Sequence, residues 1–179
     1  MRMDERVSLF DERLKGIVSD EFRIYLINNG FFTAPASTKY HGSYEGGLFD
    51  HSFLVMKSLA DMTEKNGLDW QRPESPYIVG MFHDLCKIDN YIEIIDPTDK
   101  SKSYKYNDTP MIKGHGDKSI MLLSQFLTLT EEEILCIRYH MGAFVEKEEW
   151  RDYTRAVNKY ENVLWTHHAD MLASHVLEV

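Results

Sequence analysis

The chain has 179 residues, 43% hydrophobic and 27% charged, with a formal net charge of −9 and two cysteines. A chain of this size buries roughly two thirds of its unfolded surface, so it needs no staples, and Cys86 and Cys136, both in segments that read as helix, exclude a disulfide framework or zinc–thiolate cluster. The absence of a long apolar run excludes a membrane span, and the absence of any Lys/Arg-rich run on an acidic chain excludes a long nucleic-acid duplex as partner.

Residues 4–15 read as a first helix, and residues 19–29 as a second, capped by Ser19 and closed by Gly30. Residues 31–47 are aromatic and glycine-rich and read as a structured loop. Over residues 48–66, Leu48, His51, Val55, Leu59 and Met62 recur at helical spacing until Gly67. Ser75-Pro76 supplies an N-cap and first-turn proline for a helix running through His83. Residues 91–95 and 103–106 have strand character around Asp96-Pro97-Thr98-Asp99, which predicts a β-hairpin. Gly114-His115 opens another helix. Thr130 with Glu133 makes a capping box for a helix reaching His140 and closed by Gly142. Helices over residues 153–159 and 161–177 complete the pattern. The acidic helix starts, Asp11-Glu12 and Glu131-Glu132-Glu133, read as solvated faces or helix-dipole partners. Without repeat or linker, the expectation is one all-α domain over residues 1–179 with a small hairpin. Helices and a loop fill residues 1–47, and a metal-binding helical core fills residues 48–177.

His83-Asp84 carries the chemistry. An imidazole beside a carboxylate in the apolar run Gly80-Met81-Phe82-His83-Asp84-Leu85 is costly to bury unless a cation sits between them. His51 precedes the pair; His115, His140 and Asp170 follow, each in or beside a predicted helix. Nitrogen and carboxylate donors suit Mn, Fe, Co, Ni or Zn, with less preference for Mg. Six ligands exceed what one open catalytic ion takes, but they suffice for two ions bridged by Asp84. His51, His83, Asp84 and Asp170 would hold the first ion, and His115, His140 and Asp84 the second. Two ions about 3.5–4 Å apart hold a hydroxide and polarise a phosphoryl oxygen. Lys87, one turn after His83, would offer a point charge to phosphate as an exposed side chain, and Arg138, Lys118 and His41 are further candidates for substrate contact. His167, three residues before Asp170, is placed to orient that aspartate. Residues 85–118 balance six lysines against six acids, so bound cations would make this segment locally positive.

These residues resemble the HD-domain superfamily of metal-dependent phosphohydrolases across most of the chain, from about His41 to His175. His51 is similar to the family's first metal-binding histidine, His83-Asp84 with Lys87 to its His-Asp-x-x-Lys core, and Asp170 to its last aspartate. His115 and His140 are similar to the extra histidines of dinuclear members. Tyr44-Glu45-Gly46-Gly47-Leu48, the hairpin and His168-Ala169-Asp170 resemble the HD domain of bacterial 3′→5′ exoribonucleases. Two departures stand out: Cys86 where many members have glycine, and Met141 where a second histidine often follows the first.

The resemblance implies an HD-type helical bundle with a hairpin insertion, one or two divalent transition metal ions, and Asp84 and Lys87 as catalytic residues. The expected activity is hydrolysis of a phosphoester in a nucleotide or a short single-stranded oligonucleotide end by a metal-held hydroxide, in the cytoplasm and away from membranes. Dinuclear iron oxygenases of the same superfamily use the same ligands, and a metal-stabilised binding module without turnover is the third reading. With one ion only, His115 or His140 would protonate the leaving group.

Overall fold

In the computed structural model, which describes residues 1–110, 112 and 114–177, segments with a 3.6-residue apolar period are helices and the two segments of strand character form a hairpin. Lys113, one of the six lysines counted above, lies outside the described residues. Helix α1 (Met3–Leu14) turns Arg6, Phe10 and Leu14 inward at successive turns. Helix α2 (Asp20–Asn28) buries Phe22 and Leu26, and Ser19 caps it by accepting from the Phe22 N–H. Helix α3 (Gly47–Asn66) buries Leu48, His51, Val55 and Leu59 on one face. Helix α4 (Ser75–Phe82) is followed by a 3₁₀ turn, Leu85–Asp89. Strands β1 (Tyr91–Ile95) and β2 (Lys102–Tyr106) pair antiparallel, Tyr91 opposite Tyr106 and Ile95 opposite Lys102. Helices α5 (Gly116–Leu123), α6 (Glu131–Arg138), α7 (Trp150–Lys159) and α8 (Asn162–His175) complete the order. The architecture is all-α with one small hairpin, as the sequence predicts. Among the described residues no helix is long and apolar enough to cross a membrane.

Phenylalanines fill the core beneath the later site. Phe10, Phe22, Phe31, Phe32, Phe49 and Phe82 are fully buried, with edge-on pairs such as Phe10–Phe32 at 5.5 Å and Phe31–Phe49 at 6.1 Å. Edge-to-face contacts of this kind add about 0.5–1.5 kcal/mol each beyond burial. Two glycines then set helix spacing. A β-carbon on Gly80 would lie 2.3 Å from the Met56 Cα, so α4 crosses α3 at backbone contact. One on Gly116 would lie 2.6 Å from the Arg138 carbonyl oxygen, which draws the start of α5 onto the end of α6.

Buried ion pairs tie the remaining elements. Arg6 grips Asp50 with two bonds of 2.9 Å and donates to the Glu45 carbonyl at 3.0 Å, fixing the first turn of α3 against α1. The capping box of α6 is present, with Glu133 bonding the Thr130 N–H at 2.9 Å. Glu132 and Glu133 are nevertheless buried, not solvated. Glu133 takes Arg72 at 2.8 and 2.7 Å and the Ser75 hydroxyl at 2.8 Å; Glu132 takes the Gln71 N–H and Asn162, each at 2.8 Å. Ser75 is therefore spent on Glu133, and Glu74 occupies the N-cap of α4. Cys86 falls in the 3₁₀ turn rather than a helix, and α6 ends at Arg138, two residues short of His140.

Candidate metal centre

Two helix interiors and three helix ends deliver the six predicted ligands to one point. His51 sits in the second turn of α3 and Asp170 in the middle of α8. His83 is the C-cap of α4, and Asp84 leaves helical geometry at φ −104°, ψ 18°, a conformation frequent at active sites. That break lets two consecutive side chains meet, with His83 Nε2 3.5 Å from Asp84 Oδ2. His115 is the N-cap of α5, and His140 stands in the turn after α6.

Asp84 is the hub. Its Oδ2 lies 3.6 Å from His51 Nε2 as well as 3.5 Å from His83 Nε2, and Asp170 Oδ1 completes that side at 3.2 Å from His51 and 3.9 Å from His83. Its Oδ1 faces the other two imidazoles, 3.0 Å from His115 Nε2 and 3.5 Å from His140 Nε2. Five of the six side chains are buried; His115 alone is about a third exposed. His83 Nε2, His140 Nε2 and Asp84 Oδ1 have no aligned hydrogen bond, although each is shut off from water. A buried polar atom without a partner costs roughly 1–3 kcal/mol. Their convergence fits a cation between them. The far side of each ring agrees, since His83 Nδ1 bonds the Gly80 carbonyl at 2.9 Å and His140 Nδ1 the Ile137 carbonyl at 2.7 Å. Those bonds place the proton on Nδ1 and turn the Nε2 lone pair inward, the arrangement metal-ligating histidines adopt. These buried histidine and aspartate groups can hold a metal ion.

Without a cation, protons and Lys87 balance the two carboxylates. Burial would raise Asp84, but Lys87, His83 and His115 hold it well below the carboxylate range. Burial likewise opposes ionisation of Asp170, and hydrogen bonding from His51 with the charge of His83 reverses this. His83 is pushed up by Asp84 and Asp170 against its burial, and His115 by Asp84 to about 10. His140 is lowered, chiefly by burial.

The predicted substrate residues separate. Lys87 is not the exposed side chain expected: it is 12% exposed, with Nζ 2.7 Å from Asp84 Oδ2, yet it lines the cavity above the cluster. That cavity holds about 720 Å³ and is lined by His115 and Asp170, by the apolar Met141, Phe144 and Met171, and by Tyr40. His41 also lines it, its ring 5.0 Å from that of His51; burial lowers it to about 4, with the nearby charges of His51 and Lys87. Arg138 lies instead on an adjoining hollow of about 430 Å³, paired with Asp117 at 3.0 Å and Glu149 at 3.6 Å. Lys118 is buried and bound to Asp89 and Asn90, which removes it from the cavity lining. His167 does not orient Asp170; its Nδ1 lies 2.8 Å from the His140 carbonyl. Ser174, four residues on in the same helix, donates its one hydroxyl hydrogen to the Asp170 carbonyl at 2.8 Å, with Asp170 Oδ1 at 3.1 Å as the alternative acceptor.

Comparisons with protein-family models, with curated proteins and with solved structures found no match to this chain.

Proposed function

We propose that the chain is a metal-dependent phosphohydrolase of the HD-domain superfamily that cleaves a phosphoester in a nucleotide or a short oligonucleotide. The observation that carries this reading is the division of Asp84, whose two oxygens each serve a separate histidine set. His51, His83 and Asp170 with Asp84 Oδ2 would hold one divalent ion, and His115 and His140 with Asp84 Oδ1 the other. Such ions lower the pKa of a bound water and polarise a phosphoryl oxygen.

The remaining chemistry belongs to the chain. Lys87 is anchored on Asp84 and open to the cavity, so its ammonium neutralises charge developing on a phosphate there, an effect commonly worth about 10²–10³ in rate. His41, held neutral near pH 7, meets the substrate as a hydrogen-bonding group, not a cation. Met141, Phe144 and Met171 accept the apolar face of a base or sugar and exclude water.

The test is hydrolysis of a generic phosphodiester, nucleotides and short oligonucleotides by protein stripped of metal and reloaded with Mn, Fe, Co, Ni or Zn. The expected result is metal-restored turnover that EDTA abolishes and that proceeds equally in an anaerobic chamber. Strict dependence on iron and oxygen would overturn it in favour of an oxygenase. Full metal loading with silence across the panel would overturn it in favour of a binding module.

A further inference from the structure

Resting on the metal reading, we propose that Cys86 is a positioning residue for His115, and that its sulfur makes the second metal position the weaker and more adjustable of the two. Three imidazoles of the centre have an identified partner at Nδ1, and these differ in kind. His83 and His140 each use a main-chain carbonyl three residues earlier, at 2.9 and 2.7 Å, so backbone geometry fixes those rings. His115 Nδ1 instead meets Cys86 Sγ at 3.4 Å, across 29 residues of sequence. With Nε2 given to a cation beside Asp84, Nδ1 would carry the hydrogen and the sulfur would accept it. Sulfur is a weaker acceptor than a carbonyl and sits on a rotatable side chain.

The placement of Cys86 makes this contact structural. It is fully buried in the Leu85–Asp89 turn, two residues after Asp84, and its N–H donates to Ser119 Oγ at 3.0 Å. The Ser119 N–H in turn bonds the His115 carbonyl at 3.1 Å. One short circuit thus joins the bridging carboxylate's turn to the N-cap that presents His115. The backbone of this circuit fixes where His115 stands; Asp84 on Nε2, the His140 ring at 4.8 Å and the sulfur on Nδ1 set which way its ring faces. His115 is also the one ligand with substantial exposure, so the sulfur's share of that restraint is large. Removing an outer partner of a ligating histidine typically weakens metal binding by about 10–100-fold.

Titration of metal-stripped protein with Co(II), followed by calorimetry and visible absorption, tests this without an activity assay. Wild type should show two unequal binding events. Cys86→Ala and Cys86→Val remove the acceptor in two sizes, and either should leave the first event unchanged while weakening the second by about tenfold or more. Retention of the first event also reports that the variant is folded. Cys86→Ser, which restores an acceptor, should recover the second event to within a few-fold of wild type. A second event unchanged in both Ala and Val variants would overturn the positioning role while leaving the metal centre intact. A thiolate-to-cobalt absorption band in wild type would overturn it too, making Cys86 a ligand. No cobalt uptake by wild type would overturn the metal reading itself, and this inference with it.

Discussion

On the Oδ2 side of Asp84, the partners come from packed helices: His51 and Asp170 from within α3 and α8, and His83 from the end of α4 where Gly80 touches α3. On the Oδ1 side, His115 opens an eight-residue helix and His140 follows another, each outside regular helix. The first set is fixed by the apolar core beneath it; the second is fixed by caps, turns and a sulfur. Helix interiors resist local opening more than helix ends do, so one carboxylate joins a rigid half-site to a compliant one.

The largest expected effect removes the hub. Asp84→Ala should abolish metal uptake on both sides and lower the stability of the metal-free protein by about 3–5 kcal/mol, because Lys87 and the protonated imidazoles lose their counter-charge in a buried site. Elemental analysis and a denaturant melt read this, and a variant that still binds two ions would end the bridging assignment. His51→Ala and His115→Ala separate the halves. The former should lose the tight ion, while the latter should keep one ion per chain and lose most turnover. Equal affinity for the remaining ion in the two variants would erase the asymmetry.

Lys87→Ala should lower turnover by about 10²–10³ with metal stoichiometry retained. It should also cost about 1–3 kcal/mol of stability, since Asp84 Oδ2 loses its ammonium partner. Full activity at limiting and saturating substrate would confine the lysine to structure. The pH dependence sharpens the same contrast. His115 has a folded value of about 10 against an ordinary 6.5, so its contribution is fully present below 6.5 and is lost as pH rises towards 10. The metal-free protein should therefore lose thermal stability across that window, and the metal-loaded protein, whose imidazoles are already deprotonated, should not. Parallel melting curves would show that the protons are not exchanged for metal. The smallest effect lies outside the comparison. Ile94→Thr on the exposed hairpin should change stability by less than about 0.5 kcal/mol and leave metal content alone.

The six side chains that converge on Asp84 were legible in sequence because residue identity and order survive without geometry, and capping and apolar periodicity marked the helices that carry them. What sequence did not carry was pairing. Nothing local says that Asp84 divides its oxygens between two histidine sets, or that Cys86 meets His115 from 29 residues away. Long charged side chains misled in one direction, towards solvent. Glu133 and Lys118 read as solvated or free, yet each is buried because a distant partner, Arg72 or Asp89, reaches it. Of the Ser75-Pro76 signal, the first-turn proline held and the cap failed, the Ser75 hydroxyl being claimed by Glu133.

The contact between Gly80 and Met56 bears on the centre although neither residue is a ligand. Residue 80 lies three positions before His83, and Met56 five after His51, so the two backbones touch just below the point where both imidazoles emerge. The separation of those rings, 5.3 Å between centroids, is thus gauged by a missing side chain. Any larger residue at position 80 would act as a shim, widening the aperture that a cation must fill. For a cation held between these donors, size selectivity would accordingly be set by the helix crossing, one layer beneath them.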